Sequence, residues 1–126
     1  MLCARIVWRS PAEPAANAEV RCRRRGRKLG RSGGEGVVAT TYLNVIPNLT
    51  RSASPYAVIE NVVVDQALRE TGLGKQIMAD TLQAAWDAGC YKAMLQTGSR
   101  RPTTHSFYRA CGFSPDEKAA YLARPS

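Results

Sequence analysis

The sequence predicts a mixed α/β domain, a central sheet with flanking helices. Three observations point there. Two segments rich in β-branched and aromatic residues, VVATTYLNVI and YAVIENVVVD, follow one another from Val37. Two stretches with apolar residues at three- and four-residue spacing come next, each ended by a glycine. A further extended stretch, CYKAMLQT, lies between those two. With a last strand after the second helix, the order β-β-α-β-α-β fits a mixed sheet. The 126 residues suit one domain, and the 44% apolar content suffices for a core.

Taken in order, the first strand ends at Pro47 and Asn48, and the loop NLTRSASP runs to Pro55. In the second strand Glu60 and Asn61 are the only polar interior positions. Strict alternation is absent, which suggests that both faces are partly covered. Gly72 to Gly89 is predicted as a helix whose apolar face carries Ile77, Met78, Thr81, Leu82, Ala85 and Trp86. Gly89 supplies its C-terminal stop. Pro102 suits the first turn of a second helix running to about Cys111, with Gly112 as C-cap. Phe113 leads into a further extended segment, and AAYLA is a candidate last strand.

Charge divides the chain. Of the formal +8, residues 1–35 carry +6 and residues 36–126 carry +2. The run RCRRRGRKLGRSGGEG has many glycines and almost no apolar periodicity. Residues 1–35 are therefore expected to form a basic, flexible segment ahead of a folded domain at 36–126. Such a segment is either a solvated tail or a contact for nucleic acid or another anionic surface. No aromatic residue interrupts the Arg run to stack on bases, so nucleic acid is the less favoured partner. PAEPAANAEV can hold a short helix after Pro14, and ARIVW can form an early strand. The four cysteines form no C-x-x-C pair, so no metal site is expected. No secretory signal and no apolar run of membrane-spanning length occur, which predicts a cytoplasmic protein without membrane contact.

Gly72 and Gly74 follow a strand and open a helix. A helix N-terminus offers unpaired backbone N–H groups and the positive end of the dipole, which together attract phosphate. Glycines let the backbone approach a ligand. Arg69 and Lys75 flank the turn and add charge. The spacing is neither the P-loop nor the dinucleotide fingerprint. By itself G-x-G fits a plain strand–helix turn equally well.

The surrounding residues extend the pattern. Val62-Val63-Val64-Asp65-x-x-x-Arg69-x-x-Gly72-x-Gly74 resembles the acetyl-CoA-binding motif of the GNAT superfamily of N-acetyltransferases. That motif reads Arg/Gln-x-x-Gly-x-Gly/Ala after an apolar strand. A second block, His105 to Phe113, contains F-Y-x-x-x-G-F and resembles the signature near the end of those enzymes. One helix and one strand separate the blocks, as in the family, and the resemblance covers residues 36–126.

The resemblance implies a GNAT-like mixed central sheet, acetyl-CoA as acetyl donor, a primary amine as acceptor and no metal. It implies that the main chain of Val62, Val63 and Val64 runs along the pantetheine arm. The amides of Glu70, Thr71, Gly72, Leu73, Gly74 and Lys75 would hold the pyrophosphate beside Arg69. Thr104, or Arg101, stands near where many relatives contact the coenzyme through Asn. Tyr108 falls where the family places a general acid for the departing thiolate; a core-edge aromatic is the alternative. Glu60 falls where several members carry a general base; a solvent-facing strand residue is the alternative. His105 is expected to be exposed or to pack. Members usually begin with a strand, two helices and another strand before the segment starting at Gly36. Here 35 residues precede it, so the N-terminal elements are expected to be incomplete, being either abbreviated or an aberrant version of that region. Such a domain would leave apolar sheet surface exposed, favouring a homodimer. It would also admit a second role, an acyl-CoA-binding domain without a complete acceptor site.

Overall fold

The computed structural model describes residues 2–9, 19–22 and 37–125. Five strands form one sheet: β1 (Leu2–Arg9), β2 (Glu19–Cys22), β3 (Val37–Ile46), β4 (Tyr56–Val64) and β5 (Ala93–Leu95). A 3₁₀ turn spans Gln66–Leu68, and two helices follow, α1 (Leu73–Asp87) and α2 (Pro102–Ala110). The strand order is β2-β1-β3-β4-β5. The first three pairings are antiparallel, and β4 pairs β5 in parallel through the α1 crossover.

The sheet takes in more of the chain than the sequence suggests. β1 lies inside it, paired with β3 from Leu2↔Val45 to Arg9↔Val37. Ala4 and Ile6 alternate inward and are buried, while Arg5 between them is half-buried on the other face. Arg21 and Cys22, at the head of the basic run, belong to β2, which pairs with β1 at Arg5↔Arg21 and Ala4↔Cys22. The helix expected after Pro14 falls largely outside the described residues, and its last two positions, Glu19 and Val20, are strand.

α1 covers one face of the sheet. Ile77, Met78, Thr81 and Ala85 are its buried residues, four of the six expected on that face. Leu82 is half-buried and Trp86 is 45% exposed. Met78 and Ala85 cluster with Leu43 and Val45 of β3 and Ala57 and Ile59 of β4, with Leu82 packed against them, while Ile77 clusters with Ile6 and Ala39. Burying one such large aliphatic side chain contributes about 1.5–3 kcal/mol. Phe107 and Tyr108 of α2, with Phe113 after it, pack on the same cluster. Among the described residues no helix covers the opposite face, where Arg5, Thr40, Tyr42, Asn44 and Val58 are half-buried. Arg5 donates to Thr40 Oγ1 at 3.2 Å and lies 5.8 Å from the Tyr42 ring centroid. Gly89 and Gly112 end the two helices with φ of 77° and 91°.

The expected last strand is absent. Residues 113–125 form no strand, and Tyr121 and Leu122 are 96% and 77% exposed. Composition alone suggested AAYLA as a strand, but it finds no strand partner in the described chain, and a lone extended segment has no ladder to stabilise it.

Candidate functional site

β4 makes the site possible by changing its inward side. Ala57 and Ile59 are buried, then Val62 and Val64 are the half-buried residues. Inward positions pass from odd to even because one extra residue enters the strand. Opposite it, the β3 register jumps from Tyr42↔Glu60 to Thr40↔Val63. Asn61 absorbs the kink with φ of 51°, a left-handed value that Asn tolerates better than most residues. The missing alternation in YAVIENVVV therefore reflects a bulge, rather than two covered faces.

Beyond the bulge no strand among the described residues pairs with the outer edge of β4. β5 pairs only with Ala57, Val58 and Ile59. The backbone of Val62 to Val64 thus borders a cleft of about 680 Å³. Its other wall is the start of α2, with Arg101, Thr103 and Thr104, and then Phe107 and Tyr108.

The loop after β4 delivers the chain to the floor of this cleft. Asp65 accepts from the Ala67 amide at 2.9 Å, capping the 3₁₀ turn. The Thr71 hydroxyl donates to Leu68 O at 2.6 Å. Arg69 folds back and donates to Val64 O at 3.4 Å. Glu70 and Gly72 both take left-handed φ, 66° and 89°, and turn the chain into α1. No side chain caps that helix, whose first backbone bond runs from Gln76 N to Gly72 O. The amides of Leu73, Gly74 and Lys75 precede that bond, so the helix itself gives them no acceptor.

The two glycines differ in purpose. Around Gly72 there is open space, and its need is the positive φ. Gly74 is needed for packing: a Cβ there would lie 3.1 Å from Cε2 of Phe107 and 3.6 Å from Cγ2 of Val64.

Eleven of the residues singled out in sequence line this one cleft: Val62, Val63, Val64, Arg69, Glu70, Gly72, Gly74, Lys75, Arg101, Thr104 and Tyr108. Thr71 and Leu73 do not line it. Thr71 stitches the loop, and Leu73 packs on the core with Ile6, Ala39 and Ile77. Glu60 is exposed on the face away from α1 and is not in the lining, the solvent-facing position given as its alternative. Thr103 was not singled out and Phe107 entered only through the F-Y pattern; helical spacing places Thr103 one turn before Phe107, as Thr104 is one turn before Tyr108.

Tyr108 is half-buried. Its ring meets Phe107 and Phe113 edge-on at centroid distances of 5.3 and 6.3 Å. Burial pushes its phenol above the ordinary range, and the neighbouring Cys111 sulfur adds to that. Burial also raises the Cys111 thiol, while the Lys75 ammonium pulls it back. His105 is half-buried, with Nε2 2.8 Å from Ser99 O. Ser99 Oγ donates to Thr104 Oγ1 at 3.1 Å and accepts from the Arg101 amide at 3.3 Å. The β5–α2 wall is thereby tied to itself.

An uncapped helix start, a strand edge that no described strand pairs and a phenol border one cleft. Residues 4–113 match the Acetyltransferase (GNAT) family, and the chain belongs to that family. Its relatives narrow the comparison. It is 33% identical over 86 residues to glucosamine 6-phosphate N-acetyltransferase of Trypanosoma brucei brucei, covering 68% of this chain and 56% of that protein. It is 35% identical over 87 residues to probable glucosamine 6-phosphate N-acetyltransferase 2 of Oryza sativa subsp. japonica, covering 69% of this chain and 49% of that one. The chain thus spans about half the length of the curated relatives it matches. A solved structure from Agrobacterium tumefaciens str. C58 superposes with a TM-score of 0.65 at 43% identity, over 70% of this chain and 61% of that chain. Glucosamine-6-phosphate N-acetyltransferase from Arabidopsis thaliana superposes with 0.61 at 27% identity, over 71% and 57%. GNAT enzymes use acetyl-CoA.

Proposed function

We propose that the chain binds acetyl-CoA in this cleft and transfers its acetyl group to a primary amine by direct attack, without a covalent enzyme intermediate. One observation carries the reading: the edge of Val62–Val64 that no described strand pairs, the uncapped start of α1 and Tyr108 all border the same cleft. An amide-bearing pantetheine arm can add to the open edge as an extra strand. The amides of Gly72 to Lys75 face the pyrophosphate, and Arg69 and Lys75 supply the counter-charge. Backbone N–H groups at the bulge polarise the thioester carbonyl. The amine nitrogen attacks the carbonyl carbon, the C–S bond breaks, and Tyr108 gives its proton to the sulfur. A raised phenol is a weaker acid, so it stays loaded with that proton throughout the neutral range and beyond.

Glu60 stands on the sheet face that no described helix covers, two residues before Val62. An amine arriving from that side loses its proton to Glu60 through water. Glucosamine 6-phosphate, named in the curated relatives, and aminoglycosides, named in a relative 27% identical over 73 residues, are the first acceptors to test. The test is acetyl-CoA-dependent release of free thiol across an amine panel. Release with at least one amine supports the reading, and no release with any of them rejects catalysis.

A second reading rests on the same uncovered face. If the described residues are all that surrounds the acceptor, the cleft binds acyl-CoA without useful turnover. A rise in thermal stability with acetyl-CoA, without thiol release, selects this alternative; at about 100 times the dissociation constant it amounts to about 2.7 kcal/mol.

A further inference from the structure

We infer that Phe107 is a positioning residue for the coenzyme: its ring fills the space over Gly74 and sets the first turn of α1 against the α2 wall. The inference rests on the acetyl-CoA reading and adds a determinant to it.

The ring touches the one position in the α1 turn that has no side chain. A Cβ on residue 74 would come within 3.1 Å of Cε2 and 3.3 Å of Cζ of Phe107. Contacts that close force a neighbour to move. Val64 closes the other side at 3.6 Å. The ring has little freedom to yield, because Phe107 packs on the main core and stacks edge-on with Tyr108 at 5.3 Å. An added methyl therefore displaces either the first turn of α1 or the α2 wall. Both border the cleft, through Gly72, Gly74 and Lys75 on one side and Thr104 and Tyr108 on the other. The motif that this loop resembles admits Ala at the position of Gly74. In this chain the Phe107 ring removes that option. Gly74 and Phe107 thus act as a matched pair, one lacking the volume that the other supplies.

The test is a size exchange. Acetyl-CoA is titrated calorimetrically into the full chain and into G74A, F107L and G74A/F107L, with a thermal melt of each. The shorter side chain of Leu leaves room for the new methyl. Gly74→Ala should bind about tenfold more weakly, in keeping with the usual cost of overpacking. The double variant should return to within about threefold of Phe107→Leu. A methyl that simply struck the ligand would not be rescued by Leu at 107, so a double variant as weak as G74A overturns the inference. Equal binding by G74A and the unmodified chain also overturns it. If G74A fails to fold, the double variant must fold and bind, and its failure to do so is a rejection. No binding by the unmodified chain would overturn the parent reading as well, a result distinct from any pattern among the variants.

Discussion

Thr41 and Thr81 share a buried hydrogen bond, with 2.7 Å between their hydroxyl oxygens, that ties β3 to α1. Thr81 also donates to Ile77 O at 2.6 Å, so its proton is committed and Thr41 is the donor of the shared bond. Thr41 is the β3 residue at which the β4 pairing slips. The pair therefore holds the helix to the sheet beside the bulge that opens the cleft. Thr81→Val should cost about 1–3 kcal/mol, because the Thr41 hydroxyl is left buried without an acceptor. Thr41→Val should cost only about 0.5–1.5 kcal/mol, since Thr81 keeps its bond to Ile77. The double variant should resemble Thr41→Val rather than the sum. Urea denaturation of the four proteins decides it, and strict additivity would refute the donor assignment.

Asn61 makes a second case, where backbone shape supports binding. A β-branched residue at φ of 51° costs about 1–2 kcal/mol. Asn61→Val should lose that much stability and weaken acetyl-CoA binding, because the bulge decides which way Val62 and Val64 face. Asn61→Gly should retain both. Denaturation and titration together check this, and a valine variant with unaltered stability and affinity would rule out the bulge's role.

The bulge also shows where local sequence stops being informative. β3, α1 and α2 were legible because period-2 and period-3.6 patterns, Pro47, Pro102, Gly89 and Gly112 all act within a few residues. ARIVW was legible as an early strand, but its place inside the sheet was not, because it sits in an Arg- and Pro-rich region and its partners on β3 lie some thirty residues away or more. At the site, G-x-G marked the α1 start. It left hidden that Gly72 is needed for its φ and Gly74 for Phe107, since the second need arises only when the fold brings the Phe107 ring against the first turn of α1. Glu60 looked enclosed within an apolar segment. Once the sheet forms it faces outward on the uncovered side, because strand neighbours point to opposite faces.

Lys75 gives an electrostatic prediction. It lines the cleft, and its charge is felt at Cys111 behind Tyr108. Lys75→Ala should weaken acetyl-CoA binding by about tenfold at low salt, the usual scale for a charge-assisted hydrogen bond. The loss should shrink as salt rises and screening shortens the reach of the charge. Titrations across a salt series provide the check. A salt-independent loss would mean that the stem of Lys75, and not its charge, matters.

Tyr108 predicts a pH profile. Burial and Cys111 raise its phenol, so the acid form persists to higher pH than for a free tyrosine. If Tyr108 protonates the thiolate, kcat should hold up to about pH 10 with respect to this group and fall only above it. Tyr108→Phe should lower kcat by about 10²–10⁴ with little change in acetyl-CoA affinity, and should remove the alkaline limb. Steady-state kinetics from pH 6 upward suffices. Full turnover in the Phe variant would leave Tyr108 as a packing residue only.

The central claim is that acetyl-CoA lies along the open edge of β4 and against the start of α1. Amide hydrogen exchange with and without saturating acetyl-CoA tests it most directly. Slowed exchange should appear at residues 62–64 and 72–75 and be absent from the Arg51–Ala53 turn at the other end of the β3–β4 hairpin. Unchanged exchange at both segments under saturating acetyl-CoA would contradict it.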